Sequence, residues 1–170
     1  MSALRDASRE LVDVVDEQGR VTGRVSRREM RARRLPHRST YILVFNRRGE
    51  LFVHLRTAAK DVYPSRWDVC VGGVVTAGET FEAGAARELQ EELGVVAPLE
   101  RLFPFRWADE ATIVHGMVYR ATHDGPFRLQ REEIVRGEFL PLGATLARAA
   151  RESFCPDGLA VLTLFRRHTT

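Results

Sequence analysis

Apolar and polar positions change rhythm along this chain, and the changes mark its elements. Leu11 to Val25 (LVDVVDEQGRVTGRV) carries apolar positions on both sides of Gln18-Gly19, which predicts two short strands in a hairpin. Ser39 to Asn46 (STYILVFN) and Leu51 to Arg56 (LFVHLR) flank Arg47-Arg48-Gly49-Glu50 and predict a second hairpin. Trp67 to Val75 is strand-like and runs through Gly72-Gly73, while Thr80 to Leu93 is helical. Leu102 to Trp107 and Ala111 to Ala121 read as strands, and Glu138 to Leu140 as a short one. Ala144 to Arg151 and Asp157 to Arg167 read as closing helices, with Asp157 as the expected N-cap of the second. Strands and helices intersperse without regular βαβ spacing, which predicts a mixed α/β or α+β sandwich.

The helix Thr80 to Leu93 (TFEAGAARELQEEL) carries the chemistry. At about 100° per residue, Phe81, Ala85, Leu89 and Leu93 fall on one apolar stripe fit to lie on a sheet. Glu88, Glu91 and Glu92 gather on the adjoining arc, since i, i+3 and i+4 are neighbours. Gly84 shares that arc and opens space beside them, at a cost of about 1 kcal/mol against alanine. Gly94 follows as the residue that ends the helix. Three adjacent carboxylates near a helix C-terminus repel one another and oppose the macrodipole. Arg87 supplies one compensating charge, and a divalent cation would supply two. Mg²⁺ takes hard oxygen ligands of this kind together with substrate phosphates. A solvated acidic face is the competing reading of the glutamates alone.

Composition narrows the class. With 170 residues, 44% hydrophobic and 29% charged, the chain has the size and balance of one ordinary globular domain over 1–170. Disordered, collagen-like and disulfide-scaffold chains are excluded. No apolar run approaches the roughly 20 residues needed to cross a bilayer, and MSALRDASRELVD lacks the apolar core of a secretory signal, so a cytoplasmic protein with no membrane partner is expected. Cys70 and Cys155 have no metal-type spacing and are expected as buried thiols. The formal net charge is +3, and Lys60 is the single lysine among 26 basic residues. Arg20 to Arg38 closes the 1–38 segment with eight arginines among nineteen residues. A solvated, partly helical surface and a phosphate-steering or nucleic-acid patch both fit it, although no aromatics interleave to stack bases.

The spacing of the fixed residues goes further. From Gly73 the chain reads Gly73-x5-Glu79-x7-Arg87-Glu88-Leu89-x-Glu91-Glu92-x-Gly94-Val95. This resembles the Nudix box of the Nudix hydrolase superfamily, G-x5-E-x7-R-E-U-x-E-E-x-G-U, at every fixed position from 73 to 95. At average residue usage the match arises by chance on the order of once in 10⁹ starting positions or fewer. The resemblance implies an α/β/α sandwich with a mixed sheet. It also implies Mg²⁺-dependent hydrolysis, with Mn²⁺ as substitute, of a nucleoside diphosphate linked to a further group X. Carried over, Glu88, Glu91 and Glu92 become metal ligands with the Gly72 carbonyl beside them. Arg87 orients the glutamates, and Glu79 pairs with it or supports the loop. Glu133, or Glu132 as the alternative, stands where a further ligand or base is expected from a later loop. The family's dimers make a homodimer a compatible state.

The flanking segments, PHRSTYILVFNRRGELFVHLR and YPSRWDVCVGG, also resemble the layout of isopentenyl diphosphate isomerase and of its YfcD-type hydrolase relatives. The isomerase's cysteine position falls on Gly72, a nearby histidine ligand on Val74 and its carboxylates near Thr112 and Val114, and although His37 matches an upstream histidine, that histidine's partner seven residues earlier is Met30. The isomerase site is therefore absent while the hydrolase box is whole. A Nudix module that binds a ligand or nucleic acid without catalysis, and an RNA-end hydrolase, are the remaining alternatives. Arg56 and Arg66 are candidate phosphate contacts beside the cleft, and the branch resemblance adds His37. His54, His115, Trp67 and Phe105 read as core or surface residues.

Overall fold

The computed structural model describes residues 6–169, in a mixed sheet covered by helices on both faces. The strands are β1 (Leu11–Val15), β2 (Val21–Ser26), β3 (His37–Phe45), β4 (Leu51–Arg56), β5 (Trp67–Asp68), β6 (Glu100–Ala108), β7 (Ile113–Thr122) and β8 (Ile134–Leu140). The helices are α1 (Arg27–Ala32), α2 (Phe81–Leu93), α3 (Leu142–Ala149) and α4 (Pro156–His168). Both predicted hairpins form, β1 with β2 and β3 with β4, the second touching in register only at Phe45 and Leu51. The sheet's long contacts are parallel β3–β7 and antiparallel β4–β8 and β6–β7.

Alternation along β3 sorts the core into two layers, because successive strand residues face opposite sides. Tyr41, Leu43 and Phe45 face α4, where they pack with Val161, Leu162 and Phe165. Ile42 and Val44 face α2, where they meet Ala85, Leu89 and Leu93. The apolar stripe read on α2 is thus the stripe it buries. A smaller cluster of Val12, Met30 and Val74 seats α1 against β1.

Trp67 to Val75 departs from the expected continuous strand. Only Trp67 and Asp68 pair regularly, with β4, and isolated bridges then join Val71 to Ile42 and Val74 to Ser39 on β3. The segment fills the opening where β3 and β4 diverge. Gly72 breaks the ladder: its φ of +135° is a glycine conformation, and a Cβ there would run into the Thr40 carbonyl oxygen. The N-cap of α4 is Cys155 with Pro156 in the first turn, not Asp157. Asp157 instead accepts a hydrogen bond from the Tyr41 hydroxyl at 3.0 Å, so the core contact overrides the local cap signal.

Candidate active site

Three elements build the site. The Gly72-Gly73 turn sits in the sheet opening, α2 lies above it, and the loop 57–66 reaches over from β4. Thr80 caps α2 by accepting from the Ala83 N–H at 3.1 Å, and Gly94 closes it in the left-handed conformation with its N–H on the Gln90 carbonyl. The polar arc then faces the turn closely, for a Cβ on Gly73 would stand 2.9 Å from Glu88 Oε1. Gly84 opens its space to Glu79, whose Oε1 lies 3.0 Å from where a Cβ would be.

Arg87 is the centre of the carboxylate group. Its Nε and Nη2 fork onto the two oxygens of Glu79, each at 2.9 Å, and Nη1 reaches Glu88 at 3.0 Å and Glu91 at 3.2 Å. The Glu79 bonds in particular hold the guanidinium charged, and Arg87 and the Thr76 N–H together hold Glu79 below its usual range. Glu92 is 5% exposed, and burial followed by Glu88 pushes its pKa well up against Lys60. Glu88 is also raised, by burial first. Glu91 is the exposed member.

Glu133 joins this cleft and Glu132 does not. Glu133 lies beside Glu88, Glu91 and Glu92 along an open volume of about 530 Å³ and is paired with Lys60. Glu132 turns to a neighbouring surface with Ala7 and Ser8. Lys60 and Arg27 also line the cleft, and neither was singled out for it from sequence. Arg27 fell within the Arg20 to Arg38 stretch for which a phosphate-steering patch was one reading, and the one hint of Lys60 was that it is the sole lysine in an arginine-rich chain.

The other candidates separate. Arg56 is held by the Val62 carbonyl at 2.8 Å, the Tyr63 carbonyl at 3.3 Å and Asp68 at 3.7 Å, which makes it a brace of the loop beside the site. Arg66 lies over the Tyr63 ring and lines a surface with Asp109 and Glu110, away from the carboxylates. The turn carries it there, with Tyr63 and Ser65 at φ near +50° and +57°. His37 is buried beside Gly72-Gly73 in a second recess. Within Arg20 to Arg38, charge is largely spent internally. Arg24 and Arg38 pair with Asp13, Arg27 and Arg31 with Asp61, Arg20 with Asp16 and Arg33 with Glu29. Arg34 donates to the Asp109 carbonyl.

Among the described residues no three acidic, histidine or cysteine groups already stand together as a ligand set, and protein cations hold the carboxylates instead. The donor chemistry nevertheless fits a hard divalent ion, since Glu88, Glu91 and Glu92 present carboxylate oxygens beside Gly72 in one cleft.

Residues 35–156 match the NUDIX domain family. The chain is 43% identical over 157 residues to the uncharacterized Nudix hydrolase PA4841 of Pseudomonas aeruginosa, covering 92% of this chain and 93% of that one. The chain belongs to the Nudix family. Within it, the chain stands with the YfcD-type hydrolases, being 38% identical over 168 residues to YfcD of Escherichia coli K12, with 98% and 92% covered. Its fold superposes on the crystal structure of DR0079 from Deinococcus radiodurans with a TM-score of 0.78, at 31% identity over 93% of this chain and 98% of that one. The α+β Nudix sandwich is thus confirmed, and the family makes this a hydrolase of phosphoanhydride bonds. No helix among the described residues is long and apolar enough to cross a membrane.

Proposed function

We propose that this Nudix hydrolase is a Mg²⁺-dependent pyrophosphohydrolase of the cytoplasm, with Mn²⁺ as a substitute ion, acting on a nucleoside diphosphate joined to a further group X. One observation carries the reading, the charge of the cleft. Glu10, Glu79, Glu88, Glu91, Glu92 and Glu133 line it against Arg27, Lys60 and Arg87, six carboxylates to three cations, a formal −3 within a chain of +3. So concentrated a deficit favours a divalent cation, and the cation in turn favours a diphosphate.

The division of work follows from the contacts. Glu88, Glu91 and Glu92 would hold the ion, with Gly72 beside them, and Arg87 and Glu79 fix the orientation of that arc. When bound, the ion would neutralise the diphosphate and acidify an attacking water. Arg27 and Lys60 offer positive charge at the same cleft for phosphate oxygens. Glu133 would receive the water's proton once substrate phosphate draws Lys60 away, its pairing with Lys60 at the cleft supporting that role. The arginine-rich segment favours catalysis over nucleic-acid binding, since most of its guanidinium groups are engaged within the chain.

The test is release of phosphate and mononucleotide from a panel of nucleotides and dinucleotides with Mg²⁺, beside Glu92→Gln. Turnover that needs the metal and vanishes in the variant supports the reading. A folded, Mg²⁺-binding protein inert across the panel moves the weight to a binding module.

A further inference from the structure

A second recess adjoins the carboxylate cleft and is lined by different chemistry. It holds about 80 Å³ and shares Gly72, Gly73, Arg27 and Lys60 with the cleft, so one molecule can occupy both. By the space a water needs, this is room for about five to eight water-sized positions, the size of a compact organic group. Its buried polar wall includes His37 and Asp68, whereas Asp157 and the cations Arg27, Arg31, Arg56 and Lys60 are half-buried, with Arg56 already held by Asp68 and the Val62 and Tyr63 carbonyls.

His37 defines what this wall can receive. The side chain is 1% exposed, and its Nδ1 lies 3.0 Å from the Leu35 carbonyl, a contact that requires the proton on Nδ1. Burial, then Arg31, lowers its pKa to about 4, so the ring is neutral near pH 7 and Nε2 carries a lone pair. Among the described residues Nε2 meets no hydrogen-bond partner. A buried acceptor left unpaired is costly, and it repels phosphate oxygens while welcoming an N–H or O–H. The phosphate contact expected of His37 therefore gives way to a different role.

We propose that this recess selects the organic group of the substrate, and that His37 Nε2 recognises it by accepting a hydrogen bond from an uncharged amine, amide or hydroxyl donor on that group. The inference rests on the hydrolase reading of the neighbouring cleft, which places the diphosphate between the two. A substrate that supplies the donor satisfies Nε2, whereas one lacking it leaves Nε2 unpaired as in the free protein, a difference that favours the donor-bearing substrate by about tenfold or more.

Matched nucleotides test it: ADP against purine riboside diphosphate, CDP against its 4-deamino 2-pyrimidinone analogue, and each ribonucleotide against its 2′-deoxy form. The expected result is that at least one donor-bearing member exceeds its partner in kcat/KM by about tenfold in the wild type. His37→Asn keeps a group able to donate to the Leu35 carbonyl but removes Nε2, and the ratio should fall to within about twofold of unity. Wild-type ratios all near one, or a ratio unchanged in the variant, would overturn the proposal while leaving the hydrolase reading intact. Should the variant not fold, or no nucleotide be cleaved, the wild-type ¹⁵N signal of His37 Nε2 decides. It should shift with the donor-bearing nucleotide and stay in place with its partner, and no shift with any probe refutes the assignment.

Discussion

Replacing Glu92 with glutamine separates what the fold wants from what the chemistry needs. The carboxylate is 5% exposed at the sheet-facing edge of the α2 polar arc, and burial and Glu88 both disfavour its charge. Glutamine has nearly the same shape and no charge, so it relieves that penalty without opening a cavity. Relief of a poorly compensated buried charge is worth roughly 1 to 3 kcal/mol. For a chain of this size each kcal/mol moves Tm by about 2–4 °C. In EDTA, therefore, Glu92→Gln should melt several degrees above the wild type. Saturating Mg²⁺ should reverse or close the gap, because binding at a hundred times Kd adds about 2.7 kcal/mol to a protein that retains its ligands. Turnover of the variant should fall by at least about a hundredfold, the scale of losing one strong electrostatic contribution to the transition state. Thermal melts with and without metal, beside phosphate release, read both quantities. A variant less stable than the wild type in EDTA would mean that Glu92 serves the fold, and an activity loss under about tenfold would end its role as a metal ligand.

The remaining predictions concern the residues around it. Glu133→Gln should lower kcat at least about tenfold more than Glu132→Gln, since only Glu133 faces the cleft, and equal losses would contradict that placement. Arg56→Ala should cost about 2–4 kcal/mol in urea unfolding, because two carbonyls and Asp68 lose their partner, while Arg66→Ala should cost under about 1. His54 is buried and neutral, its pKa lowered by burial from 6.5 to about 3. The unfolded chain takes up this proton below about pH 6.5 and the folded chain only near pH 3, so the stability it contributes is full above 6.5 and is lost as pH falls through that window, at about 1.4 kcal/mol per unit. His54→Phe, which keeps a flat ring on Phe52, should flatten the slope of urea midpoints between pH 6.5 and 4.5. His37 adds its own window from 6.5 to about 4, so some slope stays, and an unaltered slope would place the acid sensitivity elsewhere.

How much of this was legible depended on how local each signal was. The helix α2 could be read whole, because its stripe, its cap and its closing glycine all lie within fifteen residues and agree. The pairing of Arg87 with Glu79 could be read because both belong to one motif. The strand expected over Trp67 to Val75 was cut short by the Gly72 conformation, whose cause is a carbonyl on β3 that no neighbouring residue announces. Asp157 looked like a cap and became a partner of Tyr41, since a hydroxyl 116 positions away offered a buried bond. Arg66 looked poised for phosphate, but left-handed backbone at Tyr63 and Ser65 turns it outward. Lys60 and Arg27 reach the site from a loop and a short helix without periodicity of their own, so nothing in the spacing marked them.

The loop 57–66 explains why those two cations are where they are. Non-glycine residues in the left-handed region cost of order 1 kcal/mol each or more, and this loop holds two, Tyr63 and Ser65. The strain persists because the surroundings over-determine the loop. Arg56 grips the carbonyls of Val62 and Tyr63, the Tyr63 hydroxyl bonds Asp109 and accepts from Trp107, and Thr57 bonds the backbone at Glu132 and Glu133. Arg27 and Arg31 of α1 close on Asp61 from the other side. The same loop therefore sets three things at once: Lys60 against Glu133, Arg27 against the cleft, and the outer wall of the recess that contains His37. The Nudix box supplies the carboxylates, but the strained loop determines which cations they face and how much room is left for the rest of the substrate. Selectivity in this enzyme should thus respond to changes in 57–66 more than to changes in the box, whose residues, on the proposed reading, would act on the diphosphate that every candidate substrate shares.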